Sequence, residues 1–222
     1  MGVLVAGGTG ALGTAVVREL VAAGYAVTAT WIVSAERDRL SALPVELVEA
    51  NLFDPAATES AVSAVDDLEA VVNLIGGFAA GPRVHETAPD EFARLIRLNL
   101  TPAFMLARAG MARMIERGGG AFVGVSARPA LRPFSGAAGY ITAKAAVLAF
   151  IQALDAEYRD DGIRCNAILP SVIDTPANRE SQPDADWSKW VPPEEIARVV
   201  RFLVSAESKP TSGAAIPVYG RA

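Results

Sequence analysis

The chain has 222 residues, of which 51% are hydrophobic and 20% charged, a balance typical of one globular domain. Its net charge of −5, with no run of lysine or arginine, argues against a nucleic-acid partner. The single histidine, His85, and the single cysteine, Cys165, exclude an intrachain disulfide and any metal site that needs two histidines, so no metal is expected. The first residues resemble neither a signal peptide nor a membrane span, and we expect a cytoplasmic protein without a membrane partner.

Short apolar runs alternate along the chain with longer segments of helical periodicity. The predicted strands are residues 3–6, 26–31, 45–48, 70–75, 121–126, 164–169 and 214–218. The predicted helices are residues 11–23, 35–43, 55–65, 90–117, 138–159 and 193–205. This series predicts an α/β fold: a doubly wound parallel sheet of about seven strands with helices on both faces.

Residues 174–192 form the one long irregular stretch of the sequence. They are polar and rich in proline, and they carry Trp187 and Trp190. Loops of this length in compact domains are usually functional, so we expect a substrate-binding loop or lid here. The two tryptophans, with Phe78, could form a slot for a flat ring or could simply pack the loop.

A glycine-rich turn joins the first predicted strand to the first predicted helix. Gly7, Gly10 and Gly13 follow the spacing G-x-x-G-x-x-G. Without Cβ atoms the backbone can turn tightly, and a pyrophosphate can approach the N–H groups at the start of the helix. At the first β–α junction of a βαβ series, this pattern predicts dinucleotide binding. The predicted contacts from the turn are Gly7, Thr9, Gly10, Ala11, Leu12 and Gly13.

The end of the second predicted strand bears on which dinucleotide is bound. An acidic residue about twenty positions after the turn would hold the ribose 2′-hydroxyl and favour NAD. Here the strand ends at Trp31, and no acid stands at its tip. Arg37 follows and could meet a 2′-phosphate, although it could equally be a solvated helix residue. The sequence therefore favours NADP(H) over NAD(H).

Tyr140 and Lys144 are four residues apart in a predicted helix and so share one helix face. A free phenol has a pKa of about 10, and a nearby ammonium should lower it toward the range useful for proton transfer near neutral pH. The pattern occurs by chance on many helices. Combined with the glycine turn, it predicts a proton donor and acceptor beside a nicotinamide.

With these motifs in this order, the whole chain resembles the short-chain dehydrogenase/reductase family. The resemblance rests on residues 6–13, 72–76, 97–100, 140–144 and 163–170. It implies one Rossmann-type catalytic domain over residues 1–222 that transfers hydride between NAD(P)(H) and a small carbonyl, alcohol or quinonoid molecule. Enzymes that act on C–OH groups are the first choice, and enzymes that act on C–NH groups the second.

The resemblance also implies individual roles. Tyr140 would exchange the proton, Lys144 would tune it and bind the nicotinamide ribose, and Asn99 would hold a water in a relay to Lys144. Asn51-Leu52 stands where the family usually has Asp followed by Leu or Val. The further cofactor contacts that the resemblance or the residues suggest are Trp31, Arg37, Asn51, Leu52, Asn73, Gly76, Tyr140, Pro170, Ile173 and Thr175.

The family's serine before the catalytic tyrosine is replaced by Ala127, and Ser126 is its neighbour. Adjacent strand residues point to opposite faces, so in a regular strand Ser126 would point away from the site. A bulge or loop at Arg128-Pro129 could turn it back, and Ser126 stays a candidate for catalysis.

Residues 76–81, 174–179 and 183–187 resemble the quinonoid dihydropteridine reductase branch, which also lacks that serine. The resemblance is partial, because Asn99 and Trp31 differ from that branch. An alternative is a dinucleotide-binding sensor or scaffold without catalysis, although such a protein would not need Tyr140. The resemblance also implies a homodimer or homotetramer built through the helices at residues 90–117 and 138–159.

Overall fold

The computed structural model describes residues 1–221, in which seven parallel strands form one sheet in the order β3-β2-β1-β4-β5-β6-β7. The strands are β1 (Gly2–Ala6), β2 (Ala26–Trp31), β3 (Val45–Glu49), β4 (Leu68–Asn73), β5 (Gly120–Val125), β6 (Ile163–Pro170) and β7 (Ala215–Val218). The helices are α1 (Ala11–Ala22), α2 (Ser34–Arg37), α3 (Pro55–Ser63), α4 (Pro89–Arg117), α5 (Ala138–Tyr158), α6 (Pro176–Ser181) and α7 (Pro193–Val204). The predicted single-domain, doubly wound α/β fold is confirmed.

The central strands are buried on both faces, as expected of a parallel sheet covered by helices. Val71 and Phe122 face a core built with α3, α4 and α5. Their neighbours Val72 and Val123 face a second core built with α1 and α7. Along each of these two strands, neighbouring apolar side chains therefore pack against helices on opposite faces of the sheet.

The strand order changes direction at β1, which lies between β2 and β4. The chain runs outward from β1 to β3 and then crosses back to β4 on the other side. In doubly wound sheets, ligands bind in the crevice at the carboxyl ends of the strands where this reversal occurs. The glycine turn after β1 and the segment after β4 both lie at this crevice.

The helix predicted at residues 35–43 is wrong in extent. The structure has α2 over Ser34–Arg37, followed by a 3-10 turn at Asp38–Leu40. Leu40 is the one buried residue of these two elements, so little packing supports a longer helix. Pro44 also disfavours the helical conformation at the residue before it.

Two strands end earlier than predicted, β4 at Asn73 and β5 at Val125. The Asn73 side-chain oxygen accepts a hydrogen bond from the Ile75 N–H at 3.2 Å. This local bond turns the chain out of the sheet, because Asn side chains compete with strand pairing for the backbone.

Residues 174–192 are not irregular throughout, contrary to the sequence-based expectation. They contain α6 and a 3-10 turn at Trp187–Lys189. Thr175 caps α6 by accepting from the Asn178 N–H at 3.2 Å, and Pro176 occupies the first helical position. Ile173 and Val191 pair as a parallel bridge, which ties the two ends of the segment together.

Cys165 lies on β6 with no exposed surface. Its burial raises the pKa of the thiol to about 12. Within residues 1–221, no helix is long and apolar enough to cross a membrane. The same residues contain no cluster of three His, Cys, Asp or Glu side chains suited to a metal ion.

Candidate active site

The glycine turn after β1 has the close backbone packing that its sequence predicts. Gly7 adopts a left-handed φ of 75°, which favours glycine. A Cβ on Gly13 would overlap the carbonyl oxygen of Gly7, so helix and turn are in direct backbone contact. Gly10 precedes α1, and no side chain caps the first helical turn. The first N–H groups of α1 are therefore available to an anion, and the cradle fits a dinucleotide pyrophosphate.

The turn is held by polar contacts with β2 and with the 3-10 turn at Asp38–Leu40. The Gly7 N–H donates to the Thr30 hydroxyl at 3.1 Å. Arg39 donates from Nη1 to the Thr9 carbonyl at 2.9 Å, and the same nitrogen lies 3.0 Å from a carboxylate oxygen of Glu36. Arg39 was missed in the sequence, although it lies only two residues beyond Arg37 in the same basic segment.

The end of β2 carries an aromatic ring and a cation where an acid would favour NAD. The Arg37 guanidinium lies 5.5 Å from the centre of the Trp31 ring. On the far side of the turn, Leu52 is buried and Asn51 is exposed. The Asn51 side-chain oxygen accepts from the Phe53 N–H at 3.2 Å, so it shapes the loop after β3.

Tyr140 and Lys144 lie in the first two turns of α5, beside the end of β5. Lys144 is only 5% exposed, and its ammonium donates to the Val125 carbonyl at 2.9 Å. The same nitrogen lies 6.0 Å from the centre of the Tyr140 ring. The two side chains therefore share one face of the helix, as predicted, with the ammonium anchored to the strand.

Asn99, buried in α4, binds the segment that follows β4. Its side-chain oxygen accepts from the Gly77 N–H at 3.1 Å, and its amide donates to the Gly77 carbonyl at 3.1 Å and the Leu95 carbonyl at 2.9 Å. A Cβ on Gly76 would lie 2.6 Å from the Asn99 oxygen and 2.9 Å from the Lys144 ammonium. Gly76 is thus packed directly against the side-chain ends of Asn99 and Lys144, and a side chain at position 76 would displace one or both of them.

Burial dominates the ionisation of the pair. It raises the pKa of Tyr140 to about 12 and lowers the pKa of Lys144 to about 8. The direction for Tyr140 is opposite to the expected lowering by Lys144. The reason is that desolvation of the phenolate outweighs an ammonium that is itself buried and hydrogen-bonded to Val125.

Ser126 directs its hydroxyl into the protein. The hydroxyl donates to the Lys144 main-chain carbonyl at 2.8 Å, and the Ser126 N–H continues the pairing of β5 with β6. Ala127, the next residue, is extended and 4% exposed. The site thus has a methyl group where the family usually has a hydroxyl, while the neighbouring hydroxyl holds the helix that carries Lys144.

A cavity of about 800 Å³ opens between the glycine turn, the end of β5 and the segment after β6. Tyr140 and Lys144 line it, and so do Leu12 of the glycine turn and Gly76 after β4. Ser126 and Ala127 also lie in its wall. Further residues that line the cavity are Leu74, Gly77, Phe78, Val125, Arg128, Pro129, Arg132, Phe134, Pro170, Ser171, Val172, Ile173, Asn178, Ser181 and Gln182.

Only some of the cofactor contacts predicted at the end of β6 and after it line the cavity. Pro170 and Ile173 line the cavity, whereas Thr175 is not among its lining residues and caps α6 instead. Asn178 of α6 donates to the Ile173 carbonyl at 2.8 Å and lines the cavity as well. The other predicted cofactor residues, including Asn73 at the end of β4, do not line this cavity.

The aromatic slot suggested for Phe78, Trp187 and Trp190 does not form. Phe78 lines the cavity and meets the Tyr140 ring edge-on at 4.9 Å. Trp187 and Trp190 pack on each other at 6.4 Å, away from the cavity lining. The Arg179 guanidinium lies 4.7 Å from the Trp187 ring. The tryptophans therefore stabilise the segment between β6 and α7.

Comparison with known proteins places this arrangement in a family. The profile of the family described as enoyl-(acyl carrier protein) reductase matches residues 7–220. The acetoacetyl-CoA reductase of Shinella zoogloeoides is 30% identical over 98% of this chain and 96% of its own length. The chain therefore belongs to the short-chain dehydrogenase/reductase family of nicotinamide-dependent oxidoreductases.

Solved structures agree with this assignment. A short-chain dehydrogenase/reductase from Mycobacterium ulcerans superposes with a TM-score of 0.93 at 25% identity, covering 99% of this chain and 88% of its own. A blue fluorescent protein from a metagenomic library, solved in complex with NADPH, gives a TM-score of 0.87 at 26% identity, covering 100% of this chain and 97% of its own.

Proposed function

We propose that this protein is an NADP(H)-dependent reductase of small carbonyl compounds, or a dehydrogenase of the corresponding alcohols, with Tyr140 as proton donor and acceptor. The observation that carries the proposal is the cavity in which Tyr140 and Lys144 face Leu12 and Gly76. Leu12 lies in the first turn of α1 and Gly76 in the segment after β4, at the crevice where such sheets bind dinucleotides.

The cofactor would lie along the glycine turn. The N–H groups at the start of α1 would bind the pyrophosphate, and Lys144 would bind the nicotinamide ribose. Asn73 and Gly76 would flank that ribose, and Ile173 the carboxamide. A bound nicotinamide supplies or accepts the hydride.

Tyr140 supplies the proton in this proposal. Burial raises its pKa to about 12, so the phenol is protonated at neutral pH and can donate to a carbonyl oxygen. The Lys144 ammonium stabilises the phenolate that remains. Asn99 acts as a positioning residue, because its side chain fixes Gly77 and so keeps the segment after β4 close to Lys144.

Replacement of the phenol tests the proposal most directly. In Tyr140→Phe, we expect turnover to fall at least about a hundredfold, in the range of a lost general acid. Binding of NADPH should be unchanged, which fluorescence titration measures. Full turnover by the variant on a substrate of the native protein would disprove the role of Tyr140.

NADP(H) preference is proposed from the two arginines near the glycine turn. Arg37 at Trp31 and Arg39 at Thr9 lie where a 2′-phosphate would be bound, and no acid ends β2. The structural relative solved with NADPH supports this choice. Arg37→Gln should raise the KM for NADPH and leave that for NADH unchanged. A native preference for NADH would overturn the assignment.

A quinonoid ring is the second candidate substrate, favoured by the methyl group of Ala127. Reduction of such a ring does not pass through a carbonyl oxyanion that needs a serine hydroxyl. Phe78, beside Tyr140, offers an apolar surface for a flat ring. Assays of NADPH oxidation with quinonoid dihydropterin and simple ketones separate the two. Cofactor binding without oxidation of NADPH by any of them would favour the sensor.

A further inference from the structure

Two arginines in the wall of the cavity have no acidic partner within residues 1–221. Arg128 and Arg132 both line the cavity, on the segment between β5 and α5. Within residues 1–221, no carboxylate lies within ion-pair distance of either guanidinium, and neither donates a side-chain hydrogen bond. The Arg128 guanidinium lies 5.2 Å from the centre of the Tyr219 ring, which holds it by its flat face.

Arg179, on the segment between β6 and α7, differs from these two arginines because it is paired with an acid. Its guanidinium binds both carboxylate oxygens of Asp174, at 2.6 and 2.7 Å. It is therefore neutralised and does not line the cavity. Of the basic groups in the two segments that flank the cavity, Arg128 and Arg132 remain free to bind a ligand.

The charged residues that line the cavity are all positive. The lining contains the cations Arg128, Arg132 and Lys144 but no aspartate or glutamate. The chain as a whole carries a net charge of −5, so the cavity has the opposite sign to the molecule. A cleft lined by one sign of charge concentrates ligands of the other sign. The neighbouring surface of Phe78 and Phe134 is apolar.

We propose that the substrate carries an anionic oxyacid group, a carboxylate, sulfonate or phosphate, which Arg128 and Arg132 bind while the carbonyl group meets Tyr140. The planar guanidinium matches such groups with paired hydrogen bonds. This inference rests on the proposed function. Hydride adds to the carbonyl carbon and the Tyr140 proton to its oxygen, so NADPH is oxidised, the carbonyl is reduced to an alcohol and the anionic group stays unchanged.

Matched pairs of charged and neutral substrates test the proposal. One pair is 4-formylbenzoate and 4-formylbenzamide, which differ in charge but little in shape. A second pair is acetoacetyl-CoA and the neutral acetoacetyl N-acetylcysteamine thioester. We expect kcat/KM to be at least about tenfold higher for the charged member of a pair. The pair with the larger ratio shows whether the anion belongs to a small acid or to a phosphate-bearing carrier.

Charge-removing variants connect that preference to the two arginines. Arg128→Gln and Arg132→Gln should each lower kcat/KM for the charged substrate about tenfold, a change of about 1.4 kcal/mol, mainly through KM. The neutral substrate should be unaffected. Arg18→Gln, which removes an equal charge from an exposed position on α1, should change neither.

The outcomes separate this proposal from the proposed function. Turnover of both members of each pair with equal efficiency would overturn the anionic substrate and leave the reductase intact. Absence of turnover altogether would count against the reductase. In that case, saturation-transfer NMR with benzoate and benzamide tests whether the cavity binds an anionic group. Preferential binding of benzoate that is lost in the double variant Arg128→Gln/Arg132→Gln supports it, and equal binding of the two probes overturns it.

Discussion

Lys144 is buried, and burial disfavours the charged form of its amine. Burial lowers its pKa from 10.5 to about 8, so the folded protein binds the proton less tightly than the unfolded chain. Below about pH 8 both states are protonated and the full penalty is present. As pH rises from about 8 to 10.5 the folded state loses its proton first, so this group makes stability increase with pH. Tyr140, whose pKa burial raises from 10.0 to about 12, acts in the opposite direction only above pH 10.

Removal of this amine should stabilise the protein. At pH 7 we expect Lys144→Met to raise the free energy of unfolding by about 2 kcal/mol, since relief from desolvation exceeds the lost bond to Val125. The rise of stability between pH 8 and pH 10 should disappear. Urea unfolding at these pH values measures both effects. The exposed Lys209→Met is the control, and a less stable Lys144→Met at pH 7 would contradict the expectation.

The methyl group of Ala127 limits how the site can treat a simple ketone. In Ala127→Ser we expect kcat for simple ketones to rise about tenfold, because a hydroxyl there can donate to the developing oxyanion. Activity on a quinonoid ring should change little. Steady-state kinetics on both substrate types measure the difference. Ala130→Ser, three residues further along the chain, serves as the matched control, and equal effects of the two variants would argue against the oxyanion role.

Single residues are where the sequence predicts least. The spacing of Tyr140 and Lys144 correctly predicts a shared helix face, because four residues are only slightly more than one helical turn. The spacing does not reveal that burial, rather than the ammonium, determines the direction of the Tyr140 pKa. The contact of Arg39 with the Thr9 carbonyl depends on a 3-10 turn that helix periodicity does not predict.

At the scale of elements, the glycine turn is the junction that the backbone constrains most. A methyl group on Gly13 would overlap the Gly7 carbonyl, whereas one on Gly10 would meet only that oxygen, at 3.4 Å. We therefore expect Gly13→Ala to lower the free energy of unfolding by about 2 kcal/mol, in the range of overpacking, and Gly10→Ala to change it little. Chemical unfolding without cofactor compares them. Equal stability of the two variants would contradict this account of the turn.

The element predictions succeed where burial and periodicity agree. The strands β4 and β5 each contain a short apolar run, and α4 and α5 are long, so their type is well predicted and only their ends move. The short helices α2 and α6 are poorly predicted, because they bury no residues and show no clear helical periodicity. The helix α6 depends on a cap at Thr175 and a proline at its first position, local signals that were overlooked in a polar segment.

At the scale of the whole molecule, α4 carries apolar side chains that the described chain does not cover. Phe92, Phe104 and Ile115 are 41%, 48% and 40% exposed, and Phe104 lies 6.3 Å from Phe150 of α5. Aromatic side chains are enriched at subunit interfaces relative to the rest of a protein surface. It supports the predicted homodimer or homotetramer through α4 and α5.

Light scattering coupled to size exclusion tests this assembly. The native protein should have at least the mass of a dimer, and Phe104→Glu should shift it toward the monomer, because an unpaired charge is costly in an apolar interface. Ile32→Glu, at a residue that follows β2 and is 60% exposed, should leave the mass unchanged. A monomeric native protein would contradict the prediction.

The buried thiol of Cys165 on β6 can report how often the folded protein opens. Cys165 is the single cysteine, has no exposed surface, and has a pKa raised to about 12 by burial. A disulfide reagent therefore reacts with it only when the sheet around β6 separates. The rate of labelling measures how often that occurs. Any ligand that binds the folded form should slow labelling in proportion to its occupancy, so candidate cofactors and substrates can be ranked before a reaction is known.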